Sequence, residues 1–139
     1  MVTFVVIELD QFETKQKVNK LVRNGKCFLD EFINAIRSDK NLAPELAVLY
    51  AIIEDVANNK NLPPQRYRKL HLKKNLNYTP SEAKSKHLRL YLFYDKAIGQ
   101  IIVFGGKKGS QSKDLDNFER KISEYSHFVQ QKKIKSNVK

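Results

Sequence analysis

The sequence predicts an α+β domain, an N-terminal strand and two helices followed by an antiparallel hairpin and a closing helix. Three observations lead there. Helical spacing of apolar residues is clearest in residues 26–59 and in the segment after 113. Residues 86–104 alternate as strands do. A chain of 139 residues with 41% hydrophobic and 10% aromatic content is the size of a single domain able to bury a core.

In order, residues 3–9 (TFVVIEL) form a β-branched and aromatic run that reads as a buried strand. Residues 10–25 are polar. Phe12, Val18, Leu21 and Val22 suggest a short helix stopped by Asn24-Gly25. Phe28, Leu29, Phe32, Ile33 and Ile36 then mark an amphipathic helix from Lys26 to about Ser38. Pro44 sits in the first turn of a second helix, where its missing N–H costs nothing. Leu46, Leu49, Tyr50, Ile53 and Val56 stripe that helix, and Asn58-Asn59 close it. Both stripes are core positions.

Pro63-Pro64 opens a connection whose RYRKLHLKKN tail is either extended or loop, and Pro80 argues against a central strand at that point. Residues 86–94 (KHLRLYLFY) place Leu88, Leu90 and Leu92 on a core face and Arg89, Tyr91 and Phe93 on a partly exposed one. Residues 95–99 make a turn, residues 100–104 (QIIVF) pair back, and Gly105-Gly106 ends the hairpin. Asp114 is the expected N-cap of a last helix bearing Leu115, Phe118, Ile122 and Tyr125. The domain is expected over residues 1–130, with a basic flexible tail at 131–139. Sequential strands favour mainly antiparallel pairing.

The formal charge of +11 is unevenly spread. Residues 60–113 hold thirteen Lys/Arg against Glu82 and Asp95 alone, while the rest of the chain is balanced. Such clustering costs self-repulsion and points to a polyanionic partner, since solubility alone does not require it. The opening MVTFVVIELDQ lacks a basic n-region, so no signal peptide is expected, and no apolar run is long enough to span a bilayer; the expected location is the cytoplasm. Cys27 is the only cysteine, which removes an internal disulfide and a cysteine-based zinc site. His71, His87 and His127 are scattered, so no metal site or other cofactor is expected, and the glycines at 105–109 lack the spacing of a nucleotide loop. What remains is a cationic cluster on the hairpin and its flanks: Lys84, Lys86, His87, Arg89, Lys107, Lys108 and Lys113, interleaved with Tyr78, Tyr91 and Tyr94. Cations on a rigid sheet suit phosphates, and aromatic rings can stack unpaired bases. The alternative for Arg89 is an ion pair with Asp116 or Glu119 of the closing helix.

The stretches SEAKSKHLRLYLF (81–93) and IIVFGGKKGSQSKDLDNFERKISEY (101–125) resemble the C-terminal half of RelE/ParE-superfamily toxins, nearest the HigB-like branch. The matching features are Glu82 two before Lys84, Arg89 with Tyr91, and an apolar strand ending in glycine before Lys107-Lys108. NGKCFLDEFINAI is similar to that family's first helix, and residues 10–24 are extra relative to compact members. The resemblance implies a RelE-like fold and the toxin of a type II toxin–antitoxin pair, with a cognate antitoxin as partner. It implies an endoribonuclease that cuts mRNA on the ribosome by metal-independent attack of a ribose 2′-OH. In that reading Arg89 and Lys108 stabilise the phosphate and Lys84 orients or activates. Glu82 is the base with His87 as competitor, and Lys86, Lys107, Lys113 and Tyr91 bind RNA. A C-terminal Tyr or His of compact members has only Tyr125 and His127 as counterparts here. Two alternatives share the fold: a ParE-like inhibitor of DNA gyrase, and a non-catalytic RNA-binding or antitoxin-binding relative.

Overall fold

The computed structural model describes residues 1–72 and 78–137, the last five of these by backbone only. The part of the RYRKLHLKKN segment that falls on residues 73–75, and the end of the expected tail at 138–139, lie outside the described residues.

Strands β1 (Phe4–Glu8), β2 (Val18–Arg23), β3 (Tyr67–Lys69), β4 (Thr79–Lys84), β5 (Leu88–Asp95) and β6 (Gly99–Lys107) form one six-stranded sheet in the order β1-β2-β6-β5-β4-β3. Helices α1 (Phe28–Arg37) and α2 (Ala43–Ala57) precede β3. Helix α3 (Gln111–Asn137) is the last described element and takes in residues 131–137 of the expected tail as helical backbone. The class is α+β with a mixed sheet. All neighbours are antiparallel except β2 and β6, which run parallel through Val18↔Gln100 to Lys20↔Ile102.

Alternation along β5 sorts the core into two layers. Leu88, Leu90 and Leu92 pack with Ile102 against Leu29 and Ile36 of α1 and Leu49 and Ile53 of α2. Tyr91 and Phe93 pack with Ile101 and Val103 against Phe118, Ile122 and Tyr125 of α3. Burying each such leucine or phenylalanine contributes about 2 kcal/mol. A register shift between Tyr91 and Leu92 leaves Val103 without an opposite residue, and it joins Phe104 on the α3 side. Two further ties hold α3 down: Arg23 makes a bidentate pair with Glu124 (3.0 and 2.9 Å), and Tyr125 donates to Asp95 Oδ2 (3.2 Å).

Four expectations change. Residues 18–23 are a strand, not part of a helix, because β2 lies between β1 and β6 and buries Val18 on one face and Leu21 on the other. The first strand is an edge, with Val5 and Ile7 exposed. Pro80 sits in β4, an internal strand. The Pro80 carbonyl accepts from Leu70 just beyond β3 (2.9 Å), so its imide nitrogen also faces the side where that short strand ends and no ladder bond to β5 is lost. Finally, β6 runs through both Gly105 and Gly106 to Lys107. Gly105 is needed there because a Cβ would stand 2.4 Å from the Phe32 ring.

Candidate nucleic-acid interface

Strand register gathers the polar residues of the α3 face at one end of the sheet. Arg68 lies opposite Glu82, Glu82 opposite Tyr91, Lys84 opposite Arg89, and Arg89 opposite Gly106. Residues directly opposite share a face, so these side chains form a continuous polar patch beside the Tyr91–Phe118 core. The 3-10 turn Lys108–Ser110 and the first turn of α3 close over it.

Glu82 is fully buried. Its carboxylate accepts from Arg68 Nε (2.6 Å) and from the Gln111 amide, 3.0 Å from each oxygen. Arg89 is only 7% exposed; its Nη1 donates to the carbonyls of Ser85 (2.8 Å) and Leu88 (2.9 Å). Among the described residues, Arg89 Nε and the Tyr91 hydroxyl are buried without a hydrogen-bond partner. The Ser110 hydroxyl lies 2.7 Å from Asp114 Oδ2, and that carboxylate fills the space where a Cβ on Gly106 would stand. Asp114 is therefore a first-turn residue facing β6, not the N-cap expected for it.

The electrostatic balance favours anions. Burial lowers the pKa of the Lys84 ammonium below its ordinary value; Arg68, Arg89 and Lys108 push it the same way, and Glu82 alone opposes them. Burial raises the Tyr91 hydroxyl, with Asp114 and Glu82 adding to it, so the phenol stays protonated at neutral pH.

Of the residues expected in the site, Glu82, Lys84, Arg89, Tyr91 and Lys108 come together. Lys86, Lys107 and Lys113 are exposed, and Lys107, opposite Leu88, stands on the other face of the sheet from Arg89. Two roles are corrected. The face bearing Arg89 and Tyr91 is not open, since α3 covers it. Tyr91 packs on Phe104 and Phe118 (ring centroids 4.9 and 5.5 Å apart) and offers no surface for a base. His87 is held elsewhere: its Nδ1 lies 2.7 Å from Glu45 Oε2 of α2, while its carbonyl accepts from the Lys108 N–H (2.9 Å). Tyr78 stacks in the core on Phe93, 5.1 Å between centroids. Arg68 and Gln111 are site residues that the sequence does not single out. Arg68 had a signal, its place in the alternating RYRK run, whereas Gln111 reaches Glu82 only through the docking of α3.

Among the described residues no group of three His, Cys, Asp or Glu side chains converges as a metal site, and no helix is long and apolar enough to cross a membrane. The arrangement is that of a cation-rich polar patch with buried, unmet donors. No family model, curated protein or solved structure matches the chain.

Proposed function

We propose that this chain binds RNA at the cationic end of its sheet and acts as a toxin of the RelE/ParE type with a RelE-like fold, HigB-like in its motifs. It is an endoribonuclease that cuts mRNA on the ribosome and is neutralised by a cognate antitoxin. The observation that carries this reading is the crowding of Arg68, Lys84, Arg89 and Lys108 around one fully buried carboxylate, where burial first and the neighbouring cations second depress the Lys84 ammonium. Cations placed against one another at this cost are compensated when a phosphate enters.

The chemistry balances without a metal. The 2′-OH attacks the adjacent phosphorus and loses its proton to a base, and the P–O5′ bond breaks as O5′ takes a proton. The products are a 2′,3′-cyclic phosphate and a 5′-OH. Arg89 and Lys108 offset the charge that grows on the phosphate oxygens. Lys84, its ammonium made a stronger acid by the lowered pKa, gives up a proton to O5′ more readily than an ordinary lysine. Glu82 takes the 2′-OH proton once its Gln111 contacts are exchanged for the nucleotide. Arg89 Nε, on a side chain that keeps 7% exposure, supplies a donor that the folded chain leaves unmet.

A second reading, a non-catalytic RNA-binding relative, is favoured by one observation: both oxygens of Glu82 are already engaged. Induced expression with primer-extension mapping of cellular mRNA separates the two. Cuts that depend on the ribosome and drop ~100-fold in Lys108→Ala support the nuclease, on the scale of losing one transition-state contact. Lys108 is exposed, so its removal leaves folding intact. Uncut mRNA on expression of the folded wild type refutes catalysis, and salt-sensitive RNA affinity without cleavage establishes the second reading.

A further inference from the structure

The two edges of the sheet differ in a way that the RNA-binding reading does not use. At one edge β3 is three residues long and carries Arg68 and Lys69. Shortness and charge are the ordinary protections against strand-to-strand association. At the other edge β1 reads FVVIE, with no proline and no lysine. Val5 is 57% and Ile7 43% exposed at the outer edge of the face that α1 and α2 cover further in, while Phe4 and Val6 turn toward α3.

The backbone of β1 is equally open. Asn24 N–H donates to Thr3 O (2.9 Å) and Leu9 N–H to Val18 O (2.8 Å), so the odd-numbered residues direct their peptide groups at β2. Phe4, Val6 and Glu8 therefore direct theirs outward, at the last position of the sheet.

We propose that β1 is a homodimer interface, pairing antiparallel with β1 of a second copy about a two-fold axis at Val6, so that the two sheets become continuous. The sequence of the strand is self-complementary in this register. Val6 meets Val6, Phe4 meets Glu8, and the two exposed residues meet each other, Val5 of one copy against Ile7 of the other. Such β-branched cross-strand pairs are favourable, and a two-fold interface requires this reciprocity. A one-residue slip would set Val5 opposite Val6 and turn the apolar pairs to opposite faces, and a two-residue slip would shorten the paired stretch of the five-residue strand, so this register is favoured.

Charge selects a second copy over an oppositely charged partner at this edge. Residues 1–59, which include both strands here, carry seven basic and nine acidic residues, so the surplus of +11 lies elsewhere. With strands about 4.8 Å apart, the β6 strands of the dimer, the nearest that carry cluster cations, stand roughly 24 Å from each other and the β3 edges roughly 50 Å, both well beyond the screening length of about 8 Å in physiological salt. The cationic ends neither oppose the pairing nor are covered by it.

Sedimentation equilibrium in high salt, which strips bound nucleic acid, tests the proposal on the full chain. The wild type is expected at twice the chain mass. Val6→Pro removes one outward N–H and leaves the β1–β2 ladder intact; it should give the single-chain mass with an unchanged circular dichroism spectrum. The Val5→Lys/Ile7→Lys variant should also be monomeric, because like charges then face each other at both pairs. The Val5→Lys/Ile7→Glu variant should regain the doubled mass, now in a salt-sensitive way, because opposite charges face each other in this register alone. A wild type at the single-chain mass overturns the proposal, including the case in which β1 accepts a strand from a different protein. A dimer that persists in the folded double-lysine variant overturns it as well.

Discussion

At the start of α2, Glu45 gathers three groups of the turn between β4 and β5. It accepts from the Ser85 hydroxyl and the His87 N–H (2.8 Å) through Oε1, and it pairs with His87 Nδ1 (2.7 Å) through Oε2. Burial alone would raise its pKa. The hydrogen bonds from Ser85 and His87 outweigh that and bring it down to about 2 from 4.5. A depressed carboxylate stabilises the fold at pH above its unfolded value and loses that contribution as the pH falls toward the folded one. Glu45→Gln should therefore lower stability near neutrality by about 2 kcal/mol, the scale of hydrogen bonds to a charged acceptor. Urea titrations of the wild type and variant should converge as the pH falls from 4.5 to about 2. A constant gap across that window would mean the carboxylate charge contributes nothing. At this scale the sequence disclosed the cations of the site through their crowding, and Lys84, Arg89 and Lys108 do meet. It could not disclose that His87 is held by α2, because residues 42 apart in the chain meet only after folding.

Elements were legible where apolar residues recur at one fixed spacing. Both α1 and α2 follow their apolar stripes closely, and β5 follows its leucines. Strand β2 was not, because a strand with helices over both faces loses the period of two; Val18, Leu21 and Val22 then mimic helical spacing. The same double coverage hid the role of α3 over Arg89 and Tyr91, since nothing in KHLRLYLFY separates a solvated face from one packed under a helix. Packing at β6 leads to a further prediction. A Cβ on Gly105 would stand 2.4 Å from two carbons of the Phe32 ring, with no positive φ to complicate the comparison. Gly105→Ala should destabilise by about 1–3 kcal/mol through overpacking alone. Combining it with Phe32→Leu should return part of that loss in a thermal melt. A Gly105→Ala melt equal to wild type would show that α1 shifts freely over the sheet. On the opposite face, a Cβ on Gly106 would occupy the place of the Asp114 carboxylate. Gly106→Ala should displace the first turn of α3 and raise hydrogen exchange at residues 111–114, leaving α1 unaffected.

For the molecule as a whole the informative quantity is where the charge stands. Segregation of +11 into residues 60–113 was visible from composition; strand order then sets β3 and β4 across the sheet from the nearly neutral β1–β2 hairpin, and register brings Lys84, Arg89 and the end of β6 together at one end of their strands. If RNA binds at the cationic end, each lysine that contacts a phosphate releases a counterion, and affinity falls with salt at about 0.7 in log–log slope per contact for a single strand. Replacing Lys107 and Lys108 together by alanine should reduce that slope by roughly 1.4 for single-stranded RNA measured by fluorescence anisotropy across a salt series. Replacing Lys15 and Lys17, which carry the same formal charge at the other end of the sheet, should leave the slope unchanged. Net charge drops equally in both variants, so the comparison removes any effect of overall charge on the encounter. Equal slopes in the two double variants would mean that RNA senses the protein as a diffuse cation, and the cluster around Lys84 would then owe its arrangement to something other than a phosphate backbone.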